Sequence, residues 1–225
     1  MRRKFIFSIG EYYHVYNRGT EKRIIFTSLN DYHRFIALLH LCNSSDPVHI
    51  GNILQNNQGQ SLISLVNVEV SDRLVDIGAY CLMNNHFHLL LREKQENGIS
   101  LFMKKLLTAY SMYFNKKYER NGALFEGKFK ATHVDNDNYL KYLFSYIHLN
   151  PVKIIDPAWK ENGIKDHGAA KIYLAGYTHS SYLDYMEASR PEGAILNKSA
   201  FPEYFGNFKE FEQFVDEWLS FKTTT

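Results

Sequence analysis

The sequence predicts an α+β fold in which a central antiparallel sheet is flanked by helices, an arrangement of ferredoxin-like type. Three observations predict it. Strand and helix signals follow the order β, α, β, β, α, β, α through the first 153 residues. Two of the strand signals are separated only by Asn84-Asn85, a connection short enough to make them antiparallel neighbours. The helical segments are amphipathic, so each has one face to lay on a sheet. With 225 residues, 45% hydrophobic and 15% aromatic, the chain has ample material for such a core.

The first strand is read from the aromatic and β-branched run Tyr12-Tyr13-His14-Val15-Tyr16-Asn17, which ends at a turn at Arg18-Gly19. Ser28-Leu29-Asn30-Asp31 can cap a helix whose apolar positions Phe35, Ile36, Leu38, Leu39 and Leu41 run to about Cys42. Residues 43 to 72 hold a Pro, Asn, Gln and Ser-rich stretch and read as a long connection with a short strand near Leu62 to Val70. Val75 to Met83 and His86 to Arg92 are the two adjacent strands. From Ile99 to about Tyr118, Leu101, Phe102, Leu106, Leu107, Tyr110, Tyr113 and Phe114 recur at helical spacing, with Lys104, Lys105, Lys116 and Lys117 forming a basic side. A loop from Ala123 leads into a further strand by His133. A last helix starts at Asp135 or Asn136 and stops at Asn150-Pro151, because a residue before proline is disfavoured in the helical conformation. Residues 1 to 153 are therefore expected to form the main domain, and residues 154 to 225 a C-terminal extension packed on it, with one clear helix over Phe208 to Phe221.

Charge is unevenly spread. Residues 1 to 153 carry 19 Lys and Arg against 13 Asp and Glu, whereas residues 154 to 225 carry 7 against 11. A basic, aromatic-rich domain suits a polyanion, since bases stack on rings while Lys and Arg meet phosphates. No apolar stretch reaches the roughly 20 residues of a membrane-spanning helix, and the basic start Met1-Arg2-Arg3-Lys4 precedes too short an apolar run for a signal peptide. No membrane association and a cytoplasmic location are expected. Cys42 and Cys81 lie in apolar surroundings and read as reduced core thiols.

The chemistry-bearing residues begin with His86-Phe87-His88. On a strand, side chains alternate faces, so the two imidazoles emerge together while Phe87 points into the core. Such a pair can hold a divalent metal, although taken alone it is more simply a surface pattern. Tyr146 and Asn150 are four residues apart and share one face of the last helix. With His86 and His88, Asn150 could complete three ligands, and Tyr146 could attack a phosphate held there. Tyr139 and Tyr142 are its nearest rivals on that helix, and Asn150 has a plain alternative role as a helix end before proline.

Four segments in order resemble a known family: Tyr13-His14-Val15-Tyr16-Asn17-Arg18-Gly19, Ala79 through His88, Gly122 through Lys130, and Tyr146-Ile147-His148-Leu149-Asn150-Pro151-Val152-Lys153. Together they are similar to the REP-associated tyrosine transposases, single-tyrosine members of the HUH endonuclease superfamily. The resemblance implies the HUH fold, His86, His88 and Asn150 as ligands of Mg or Mn, and Tyr146 as nucleophile. It also implies DNA contact by Arg18, Lys128 and Lys130. The implied activity is metal-dependent cleavage and joining of single-stranded DNA through a covalent 5′-phosphotyrosine. The implied partners are hairpins from repetitive extragenic elements, bound by a monomer or a homodimer. The competing expectations are a domesticated nucleic-acid-binding protein that keeps the fold without catalysis, and hydrolysis by a metal-activated water.

Overall fold

The computed structural model describes residues 6–205 and 207–220. The strands and main helices are β1 (Tyr12–Arg18), α1 (Leu29–Leu41), α2 (Ile50–Asn56), β2 (Val75–Met83), β3 (His86–Glu93), α3 (Gly98–Lys117), β4 (Lys130–Val134) and α4 (Asp137–Leu149). Four further helices follow: α5 (Trp159–Asn162), α6 (His167–Gly176), α7 (Tyr182–Tyr185) and α8 (Phe208–Ser220). The expected end of the last helix at Phe221, and the basic start Met1 to Lys4, lie outside the described residues.

The sheet has the order β2-β3-β1-β4, and every neighbouring pair is antiparallel. This is the order that β1, α1, β2, β3, α3, β4 take in a ferredoxin-like fold. Period-2 alternation divides the sheet into two working faces. Tyr13, Val15, Tyr80, Leu82, Phe87, Leu89 and Leu91 form the main core with residues of α1 and α3. Ala79, Cys81, Met83 and Leu90 point the other way, against Leu140, Leu143, Phe144 and Ile147 of α4. His86 and His88 fall on this second face because they share parity with Leu90. Phe87 is fully buried, as expected of the residue between them.

One expected element is absent. Leu62 to Val70 does not form a strand: Leu62–Asn67 is a 3-10 helix. Its apolar residues recur at intervals of three, so Leu65 packs on Ala37 and Leu41 of α1 while Val66 joins the main core. An extended chain would have sent Leu65 and Val66 to opposite sides. Two features of the chain beyond Lys153 also escaped the sequence. Helix α6 was not expected, and residues 179–181 lie along β2, with Leu82 N–H donating to His179 O at 2.9 Å and Ser181 N–H to Tyr80 O at 2.9 Å. They cover an edge strand that would otherwise offer unpaired backbone groups. Among the described residues, no helix is long and apolar enough to cross a membrane.

The start of α1 is fixed by Asp31, which is fully buried. Its Oδ2 accepts from the Thr27 and Ser28 amides at 2.8 and 2.9 Å and from the Tyr118 hydroxyl at 2.7 Å. Its Oδ1 accepts from Lys117 Nζ at 2.7 Å and the Tyr113 hydroxyl at 2.9 Å. Burial by itself would raise the carboxyl pKa, but the bonds from Lys117, Tyr118, Tyr113 and Ser28 outweigh it and hold it below the ordinary value. A depressed carboxyl stabilises the fold above its unfolded pKa of about 4, and that contribution disappears as pH falls through the folded value. Asp31→Asn is therefore expected to cost about 2–3 kcal/mol at neutral pH, moderated because Lys117 is partly exposed, and to flatten the acid limb of a Tm-against-pH curve. An unchanged acid limb would assign the acid sensitivity to other carboxylates.

The basic side of α3 also has a structural explanation. Lys117 serves Asp31, and Lys105 Nζ donates to the Ser44 and Asp46 carbonyls at 2.5 and 2.7 Å. Both lie on the side of the sheet away from the histidines.

Candidate active site

The site is assembled from β1, β3 and α4 on the second sheet face. His88 faces Tyr16 across one strand boundary and Cys81 across the other, while His86 faces Arg18 and Met83. The two rings lie 5.1 Å apart between centroids and nearly perpendicular, at 87°. The Tyr146 ring stands 5.3 Å from His88 at 78°. Asn150 completes the group one helical turn later, because a helix returns to the same face every three to four residues.

Each histidine is held by the same ring nitrogen. His86 Nδ1 is 2.6 Å from Asn85 Oδ1, and His88 Nδ1 is 2.8 Å from His14 Nε2. An amide oxygen accepts only, so His86 carries its proton on Nδ1 and keeps a lone pair on Nε2. His14 can fix His88 in the same tautomer by accepting from its Nδ1–H. Burial pushes the pKa of His14 and of His86 down to about 4 and that of His88 well down, with nearby cationic Lys160 contributing in all three. The rings are therefore neutral near pH 7, the form that can coordinate a cation.

Asn150 tests whether a divalent cation fits. It is 3% exposed, and its Oδ1 is buried without a hydrogen-bond partner. Its side chain also interacts with His86 and Tyr146, so the amide belongs to the same cluster and its oxygen keeps acceptor capacity for a cation. Among the described residues, no cluster of three His, Cys, Asp or Glu side chains could hold a metal. The set on offer is two imidazoles, typical ligands of transition-metal ions, and one amide oxygen, a donor for harder ions such as Mg or Mn, so the mixed set can hold a divalent cation when phosphate and water fill the remaining positions.

Tyr146 is half-buried. Burial raises its phenol pKa, while the Asn150 amide and the Lys153 ammonium pull it back. The resting group is thus a neutral phenol beside the means of stabilising its anion. Lys160 Nζ sits 3.9 Å from the ring centroid, a cation–π contact from α5.

Tyr16, His86, His88 and Tyr146 line a cavity of about 560 Å³ together with Arg18, Lys22, Lys130 and Lys153. Its one acidic lining residue is Glu126, which pairs with Arg18 through both guanidinium-facing oxygens. Of the three basic residues singled out from the sequence, Arg18 and Lys130 reach this cavity, and Lys128 does not line it. His14, Lys22 and Lys160 were missed. Nothing local marks them, since strand register brings His14 to His88 and a distant segment brings Lys160 to Tyr146. Lys153 did have a signal, as the last residue of the Asn-Pro-Val-Lys run.

Comparison with known proteins adds one firm result. Residues 51–150 match the family described as "Transposase IS200 like". No curated protein matches the chain. Among solved structures, a REP-associated tyrosine transposase bound to a REP hairpin is similar at 12% identity and a TM-score of 0.48, over 92% of this chain and 99% of that one. A tRNA(His) guanylyltransferase from Saccharomyces cerevisiae is similar at 11% identity and a TM-score of 0.36, over 90% and 86%. Residues 51–150, the stretch holding His86, His88, Tyr146 and Asn150, are thus similar to the IS200-like transposases, a family of DNA-processing enzymes.

Proposed function

We propose that the protein cleaves and rejoins single-stranded DNA through a covalent 5′-phosphotyrosine at Tyr146, acting on hairpins of the repetitive extragenic kind. The observation that carries this is the convergence of Tyr146, His86 and His88 on one cation-lined cavity, with the Asn150 amide beside His86 and Tyr146. The hairpin substrate is supported by the four sequence segments that resemble the REP-associated branch.

The phenolic oxygen of Tyr146 attacks the phosphorus of one phosphodiester. The bond from phosphorus to the 3′ oxygen breaks, and the 5′ phosphate stays on the tyrosine. The proton lost by the phenol is matched by one gained at the departing 3′ oxygen. Attack by a 3′ hydroxyl on the phosphotyrosine reverses these steps and joins strands without ATP. A divalent cation held by His86, His88 and Asn150 would supply Lewis-acid polarisation of the phosphate. Asn85 and His14 keep the two imidazoles neutral and aimed, Lys153 favours the phenolate, and Lys22 and Lys130 meet the backbone phosphates on either side.

The test uses hairpin oligonucleotides from inverted repeats beside the gene, labelled on the 3′ fragment, with Mn. A label that stays on the protein in denaturing gels, and maps to Tyr146 by peptide mass spectrometry, is expected. Cleavage that leaves no adduct would favour an activated water and sink the phosphotyrosine chemistry.

The pairing of Arg18 with Glu126 yields a further expectation. A phosphate must compete with the Glu126 carboxylate for that guanidinium. Glu126→Gln should therefore tighten DNA binding several-fold at low salt and steepen the slope of log affinity against log salt by about 0.7. An unaltered slope would remove Arg18 from the set of phosphate contacts.

A further inference from the structure

Lys160 lies outside the stretch that matches the transposase family, yet it reaches the centre of the site. The chain beyond Lys153 is built to hold it there. Trp159 and Ile164 pack with Leu149 and Val152, at the end of α4 and in the turn that follows. The Asp156 carboxylate accepts from the Lys165 amide at 3.1 Å, which closes the loop carrying α5. Neighbouring residues on a helix point about 100° apart, so a Trp159 turned into that cluster sends Lys160 away from it.

The Lys160 ammonium rests 3.9 Å from the centre of the Tyr146 ring. Lys160 is an exposed residue, and an exposed cation–π contact contributes little to stability, so the fold has small need of it. What the position offers is charge. No carboxylate lines the chamber that Lys160 shares with His14, His88 and Tyr146, and both histidines are neutral near pH 7. The phenolic oxygen stands at the rim of the same ring. From above the ring, Nζ is about 5 Å from that oxygen, a gap spanned by one phosphorus–oxygen arm and one charge-assisted hydrogen bond of about 2.8 Å.

We propose that Lys160 grips a nonbridging oxygen of the scissile phosphodiester, so that the chain beyond Lys153 supplies a substrate-binding residue to the active site. The proposal rests on Tyr146 as the group that attacks the DNA. In an in-line displacement the entering and leaving oxygens define one axis, and the charged nonbridging oxygens project to its sides. An oxygen projecting over the covered face of the Tyr146 ring meets the ammonium. An anionic oxygen is a stronger partner for an ammonium than a ring face, so the cation–π contact is the resting state of a group that changes partner when DNA enters. Lys160 makes and breaks no covalent bond in this role.

Binding of the flanked hairpin oligonucleotide to Tyr146→Phe protein, which keeps the ring beside Lys160 and performs no cleavage, tests this. Each unpaired phosphodiester is replaced in turn by an uncharged methylphosphonate, with the two diastereomers separated. At one linkage, and for one diastereomer, the penalty for the replacement should be about fivefold smaller after added Lys160→Gln and unchanged after added Lys160→Arg. Both variants should keep the parent melting temperature. Should the glutamine variant melt lower, Lys160→Met, which keeps the stem over the ring, takes its place. A Lys160 that only supports the fold or the ring would lower affinity equally for every oligonucleotide, and penalties left unchanged at all linkages overturn the proposal. With wild-type protein that forms an adduct, the coupled linkage must also be the one it cleaves, and coupling at a different linkage overturns the proposal as well. Wild-type protein that forms no adduct refutes the phosphotyrosine chemistry alone, because the coupling still decides whether Lys160 holds a phosphate.

Discussion

Tyr146→Phe is expected to abolish the protein-DNA adduct, lowering its rate of formation by at least about a thousandfold while DNA affinity changes little. The substitution removes one oxygen atom and leaves the ring that packs beside His88 and beneath Lys160. Stability should be nearly unchanged, because Tyr146 is half-buried and lines the cavity, and only its contact with the Asn150 amide is lost. The control is Tyr142→Phe, one helical turn earlier on the same face, which should retain adduct formation. An adduct that persisted in Tyr146→Phe and vanished in Tyr142→Phe would transfer the nucleophile to Tyr142. Loss in both variants would point to a shared structural role for the two hydroxyls.

His88→Ala is expected to remove the second essential part. Its side chain is almost wholly buried between Tyr16, Cys81 and Tyr146, and its Nδ1 is engaged by His14. Loss of one of the three proposed metal donors should weaken Mn binding by at least about a hundredfold, readable from the electron-spin resonance signal of free Mn. A ligand that binds only the folded state stabilises it, so Mn at about a hundred times its dissociation constant should add roughly 2.7 kcal/mol to the wild-type protein. That gain should be absent in His88→Ala. His14→Ala should produce an intermediate loss of about ten- to a hundredfold, because it frees the His88 ring to rotate or change tautomer without deleting a donor. Equal Mn affinity in wild-type and His88→Ala protein would exclude the histidine pair as the metal site.

Much of this was legible in residue order. The alternation of His86, Phe87 and His88 placed two imidazoles on one face and a ring in the core, and the structure has Phe87 buried and the histidines together. The helix from Asn136 was legible from its cap and from Asn150-Pro151 at its end, and Asn136 does accept from the Tyr139 amide at 2.8 Å. The segment Leu62 to Val70 was misread because a short apolar run fits either a strand or one helical turn. Packing of Leu65 on α1 decided between them.

By itself, the sequence determined the sheet-forming segments, the parity that groups His86 with His88, and the one-turn spacing of Tyr146 and Asn150. These follow from repeat lengths of two and 3.6 residues, which are local properties of the backbone. Only the tertiary structure decided that His14 grips His88 from a strand more than seventy residues away in the chain. It also decided that Arg18 is held by Glu126, that Lys160 covers the ring of Tyr146, and that residues 179–181 close the edge of β2. Strand register and the docking of distant segments depend on which apolar faces bury one another. That choice is made by the whole core at once, so no single stretch of residues records it.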